Sequence, residues 1–139
     1  MNVASEKLAF FEGMVVQEIE KNVPHPLLIQ LSHGGLSVEC PWRLFKDKKI
    51  VLGQTDFLHV GRRDFNRGVL DEALRDKMVQ RVEWLDDCYM LRVAFSGGYV
   101  LDLFHDSGYQ EGWELFSDEN FSFLSLPGGE PELIEKDDD

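Results

Sequence analysis

A chain of 139 residues with 43% hydrophobic and 12% aromatic side chains is one domain's worth and buries roughly two thirds of its unfolded surface, which excludes a disordered tail. No apolar run approaches the ~20 residues of a bilayer crossing, and residues 1–12 lack the basic start and apolar core of a signal peptide, so a cytoplasmic protein is expected. The net charge of −12 is concentrated late: residues 1–53 carry six basic and six acidic groups, 54–81 six against five, and 82–139 two against fifteen. Nucleic acid is excluded as a partner, because a binder needs a Lys/Arg footprint on phosphates. An acidic half attracts basic partners, or simply keeps the protein soluble.

A short helix is expected from Ser5 to Phe11, with Leu8 and Phe11 inward, followed by a strand near Met14–Glu20. Leu27, Ile29 and Leu31 alternate as a half-buried strand must, so Leu28–Ser32 is expected to pair with Leu36–Cys40 across a Gly34-Gly35 turn. A fourth strand starts at Trp42. Residues 54–75 form a linker, from which Val69–Met78 places Leu70, Ala73, Leu74 and Met78 on one side of a helix entered from Asp64-Phe65-Asn66. A strand near Val79–Leu85 comes next. Met90–Ser96 then pairs with Tyr99–His105 through Gly97-Gly98, and a last strand begins at Trp113. In the tail, residues 130–139, six carboxylates face only Lys136, and fraying is expected.

These elements recur. Val16-Gln17-Glu18-Ile19-Glu20 answers to Val79-Gln80-Arg81-Val82-Glu83, and the alternating runs answer each other, both continuing into paired glycines. Trp42-Arg43-Leu44-Phe45 answers to Trp113-Glu114-Leu115-Phe116, with Asp47 matching Asp118. Four collinear blocks indicate duplicated halves, about 13–53 and 76–126, within a single domain, 1–139. The fold class expected is α+β, mostly antiparallel β, with two four-stranded halves forming one pseudo-twofold barrel or curved sheet. The second half alone carries His105–Gly112 ahead of its tryptophan, an inserted loop where a site is sought first.

Chemistry is sparse. His25, His33, His59 and His105 match no metal signature, and the densest cluster, His105 with Asp106 and Glu111, reads as a solvated turn rather than a zinc site. Ser107-Gly108 lacks a nucleophile elbow, and aspartates beside Cys88 raise its thiol pKa. Cys40 and Cys88 read as buried thiols. Gly128-Gly129 opens no helix and is no phosphate loop. No catalytic residue, metal or cofactor is expected. The one basic cluster, with His59, Arg62, Arg63 and Arg67, suits an anion or the acidic half of a second copy, as against an exposed linker. Trp42 and Trp113 read as paired core residues, whereas Trp84, equivalent to Lys21, is a candidate interface anchor.

Phe95-Ser96-Gly97-Gly98-Tyr99-Val100-Leu101, Tyr109-Gln110-Glu111-Gly112-Trp113-Glu114-Leu115 and Leu126-Pro127-Gly128-Gly129-Glu130 resemble a family of small bacterial proteins of unknown function. That family shows a glycine-turn hairpin, an aromatic-x-Glu-x-Trp segment and a terminal Pro-Gly-Gly. The resemblance covers residues 88–130 and reaches the first half only through the repeat. In size and type such proteins are similar to the immunity proteins that accompany bacterial polymorphic toxins. No catalytic residue carries over.

The expected function is therefore non-enzymatic: an immunity-like interaction protein that captures a basic partner, such as a toxin nuclease, through Asp102, Asp106, Glu111, Glu114, Asp118 and Glu119, with Trp84 or Tyr109 as aromatic anchor. No membrane partner is expected, and a homodimer is an additional expectation. The alternative is a barrel whose mouth binds a small anion through the arginine segment.

Overall fold

The computed structural model describes residues 5–21 and 27–135. Helix α1 (Ser5–Ala9) leads into β1 (Val16–Lys21), β2 (Leu27–Leu31), β3 (Gly34–Val38), β4 (Trp42–Lys46) and β5 (Lys49–Gly53). Helices α2 (Gln54–Phe57) and α3 (Arg63–Leu74) follow, separated by a 3-10 turn at Val60–Arg62. Strands β6 (Val79–Leu85), β7 (Met90–Phe95), β8 (Tyr99–Phe104), β9 (Trp113–Ser117), β10 (Phe121–Ser125) and β11 (Pro131–Glu135) complete the chain. All strand pairs are antiparallel.

The strands form two sheets, ordered β1-β2-β3-β9-β10-β11 and β5-β4-β8-β7-β6. Among the described residues no closed barrel and no single continuous sheet forms, which corrects the expectation from sequence. The reason lies in the crossings. Strands β1-β2-β3 stay in one sheet and β4-β5 join the other, while β6-β7-β8 stay in that other sheet and β9-β10-β11 return to the first, so β3 pairs with β9 and β8 with β4. Alternate residues of both sheets face a shared core that includes Ile29, Leu36 and Leu115 from one and Val82, Val93 and Leu101 from the other. That satisfies the apolar alternation on both sides without closure. A cavity between the sheets, lined by Phe11, Ile29, Val93 and Phe95 among others, is about 10 Å³, room for at most one water.

The two sheets meet at one corner. Val15 bridges Met78, and the Ser32 and Ser96 hydroxyls accept the Val15 and Met78 amide hydrogens at 3.1 and 2.9 Å. Met78 is thus part of a bridge and not of a helix, and α3 starts six residues earlier than expected. Its apolar face is Leu70, Ala73 and Leu74, all buried, and the chain leaves the helix through Asp76 at φ 65°. Helix α3 packs against β1 and β5, and α1 against β6.

The two glycine pairs play different roles. Gly97 and Gly98 hold positive φ of 83° and make the turn between β7 and β8, as expected. Gly34 and Gly35 instead lie inside β3, after a turn at Ser32-His33; a Cβ at either would overlap Phe116 of β9. Close approach, not turn geometry, requires glycine there. The acidic tail also departs from expectation. Pro131–Glu135 pairs with β10, and Leu133 packs against the core, which orders that part of it.

Candidate protein-docking surface

The loop of residues 105–112 is pinned at several points. His105 joins Ser125 Oγ through Nδ1 and the Gln110 carbonyl through Nε2, each at 2.6 Å. A carbonyl only accepts, so Nε2 carries a proton, and in the neutral ring Nδ1 accepts from the Ser125 hydroxyl. Both ring nitrogens are engaged within the protein, which removes His105 from the zinc reading. Ser107 Oγ accepts the amide hydrogens of Tyr109 and Gln110, and its carbonyl accepts that of Gly128 at 2.9 Å. Gly112 closes the loop: its N–H donates to Ser125 and its carbonyl accepts from Glu39 at 2.8 Å. The loop holds Asp106 and Glu111 exposed, with Tyr109 between them at 82% exposure.

Beside it, a cleft of about 60 Å³ on the outer face of the six-stranded sheet is lined by Ser37, Glu39, Glu111, Glu114 and Leu124. Glu114 also borders a second hollow of about 240 Å³ with Phe116, Asn120, Ser122 and Ile134. Among the described residues, no cation pairs with Glu39, Glu111 or Glu114. No group of three His, Cys, Asp or Glu among the described residues is placed to hold a metal ion. Three carboxylates around a narrow cleft suit a lysine or arginine side chain presented by another molecule.

The remaining expected carboxylates divide. Asp118 is exposed and lies 3.3 Å from His33 Nδ1, while Glu119 is exposed in the same turn, its N–H donating to Ser117 Oγ. Asp102 does not belong to the surface. It is fully buried, with Oδ1 accepting Arg92 Nε–H at 2.7 Å and Oδ2 accepting Arg92 Nη2–H at 3.1 Å and Arg43 Nε–H at 3.2 Å. Strand register places Arg43, Asp102 and Arg92 side by side across β4, β8 and β7, and the Asp102 hydrogen bond holds the Arg92 guanidinium pKa above its ordinary value. Arg43 also lies over Phe45 and Phe104, at 4.2 and 4.8 Å. Trp84 is not a free anchor either: it is half-buried between Tyr89 and Trp113. Trp42 and Trp113 are both core residues but have separate aromatic neighbours, Phe57 and Trp84.

The basic segment does not converge on one anion. Arg63 donates from Nε to the Phe57 carbonyl at 2.8 Å, Arg67 lies 3.6 Å from Asp64, Arg62 sits over Phe65 at 4.4 Å, and His59 is exposed at the entry to the 3-10 turn. Of the cysteines, Cys40 is buried, and desolvation pushes its thiol up to about 12. Cys88 is exposed, against the expectation of two buried thiols; its thiol is also raised, by desolvation and then by Asp87. His25 lies outside the described residues.

Sequence reasoning missed Glu39 and Ser37, which join the site only because β3 pairs with β9. Among the described residues, no helix is long and apolar enough to cross a membrane. Compared with known proteins, the chain matches no family model, no curated protein and no solved structure.

Proposed function

We propose that this is a non-enzymatic interaction protein, immunity-like in type, that captures a basic protein through its acidic loop and cleft, a toxin nuclease being the kind of partner it suits. The observation that carries the reading is the set of carboxylates Glu39, Glu111 and Glu114 around one cleft, with no cation paired to them among the described residues, beside a pinned loop that presents Asp106 and Tyr109. Pinning lowers the ordering cost of binding, and the carboxylates steer a basic surface into place. Tyr109 supplies the aromatic contact, with Asp118 and Glu119 at the rim. Affinity capture from the lysate of the native cells, at low and moderate salt, tests the reading. A stoichiometric basic protein that elutes as salt rises supports it, and an eluate without one overturns it.

The fold is best understood as a duplication with exchanged strands. Val15 and Met78, the bridged pair, stand 63 residues apart, the same offset as Val16 and Val79 in the matching sequence blocks. A pairing of equivalent residues is what a twofold axis between two copies of one unit produces, and the matched Ser32 and Ser96 contacts add to it. The reading as a ligand-binding barrel has less support, since the described strands form two open sheets and the cavity between them lined by Phe11, Ile29 and Phe95 is too small for a metabolite.

A further inference from the structure

Of the large apolar side chains on the described surface, Tyr109 at 82% and Val60 at 72% are the most exposed, and they stand in opposite electrostatic settings. Tyr109 lies between Asp106 and Glu111. Val60 lies between His59 and Arg62, with Leu58 at 53% and Phe65 at 60% exposure close by in the chain. Residues 58–67 carry three arginines against the single acid Asp64, in a protein whose residues 82–139 are net −13 from two basic and fifteen acidic groups.

Neither segment is exposed for want of structure. Leu58 and His59 donate to the carbonyls of Thr55 and Asp56, Arg62 donates to that of His59, and Asn66 Nδ2 donates to Asp56 O at 2.8 Å. The 105–112 loop is held as described above. Each segment is therefore preformed and holds exposed apolar side chains beside charge, acidic in the 105–112 loop and net positive, Asp64 included, over residues 58–67, a pairing that suits docking of one on the other.

We propose that the occupant is a second copy of this chain, which docks its Leu58–Phe65 segment, with Arg62, on the Asp106–Glu111 loop. Val60 and Phe65 then cover Tyr109 while Arg62 faces Asp106 and Glu111. The proposal rests on the reading of that loop as a docking surface and adds its competitor: self-association and capture of a basic partner use the same loop. Two copies of charge −12 repel at long range, and at 0.15 M salt the Debye length of about 8 Å screens that repulsion more than the local contact. High salt weakens the local contact as well.

Sedimentation equilibrium of the purified protein across about 10–500 µM tests this, at about 0.15 M and about 1 M salt. The expected result is concentration-dependent association whose Kd rises roughly tenfold or more at the higher salt. Arg62→Glu, at an exposed position, abolishes it, and so does Asp106→Arg with Glu111→Arg; an equimolar mixture of the two variants restores association, because each reversed segment meets a reversed loop. A monomer under every condition overturns the proposal, as does association that survives either variant, ignores salt or fails to return in the mixture. Arg62→Glu leaves the acidic loop intact and keeps capture of a basic partner; loss of capture by the unaltered protein overturns the proposed function instead.

Discussion

Asp102 provides the sharpest energetic test of the fold, because its carboxylate is fully buried while the two guanidinium groups that hold it keep side-chain exposures of 34% each. Substituting Arg43→Met with Arg92→Met leaves a buried carboxylate without a cation, a situation that costs about 3–5 kcal/mol. Asp102→Asn strands two arginines instead, but these are a third exposed and rehydrate, so the cost falls to about 1–2 kcal/mol, the scale of lost charge-assisted hydrogen bonds. Urea unfolding followed by tryptophan fluorescence at pH 7 reads both costs. Equal costs for the two substitutions would refute the reasoning.

Further expectations follow from single positions. Gly34→Ala places a methyl on the Phe116 carbonyl of β9 and costs roughly 3 kcal/mol or more, whereas Gly68→Ala, inside α3 with open space around it, stabilises by about 0.5–1 kcal/mol; paired melts distinguish them. Native protein exposes one thiol to a disulfide reagent, Cys88, and Cys40 reacts only after unfolding; rapid reaction of both contradicts the burial. Because the Cys40 thiol is pushed up to about 12 in the fold, stability is unaffected below pH 9 and declines between pH 9 and 12 as only the unfolded chain ionises, by up to about 4 kcal/mol. Cys40→Ala removes that part of the alkaline slope, and an unchanged slope would assign it elsewhere.

The sequence was most informative where burial alternates. The runs Leu27–Leu31 and Leu91–Phe95 declare strands because every second side chain meets the core, and Gly97-Gly98 declares a turn because its φ is positive. What stayed hidden was the partner of each strand. Nothing local in Trp42–Lys46 or Trp113–Ser117 says that they cross to the other sheet, and that crossing alone brings Glu39 to Glu111 and Glu114, and Arg43 to Asp102. Asp102 looked like surface charge because carboxylates are seldom buried; its two arginine neighbours come from strands 59 and 10 residues away. Gly34-Gly35 misled for a related reason, since a glycine pair signals a turn and a close strand contact alike. The exposed tip of the 105–112 loop was legible, because a run of polar residues and glycines around a single tyrosine has little to bury.

The central claim, capture of a basic partner by the acidic loop and cleft, is tested most directly by the association rate constant of the captured protein, measured by stopped flow for the native chain and for Glu39→Gln, Glu111→Gln, Glu114→Gln. The account predicts a native rate that falls steeply with added salt and a variant about tenfold slower or more, with its salt dependence flattened. Equal rates for the two proteins, indifferent to salt, would contradict it.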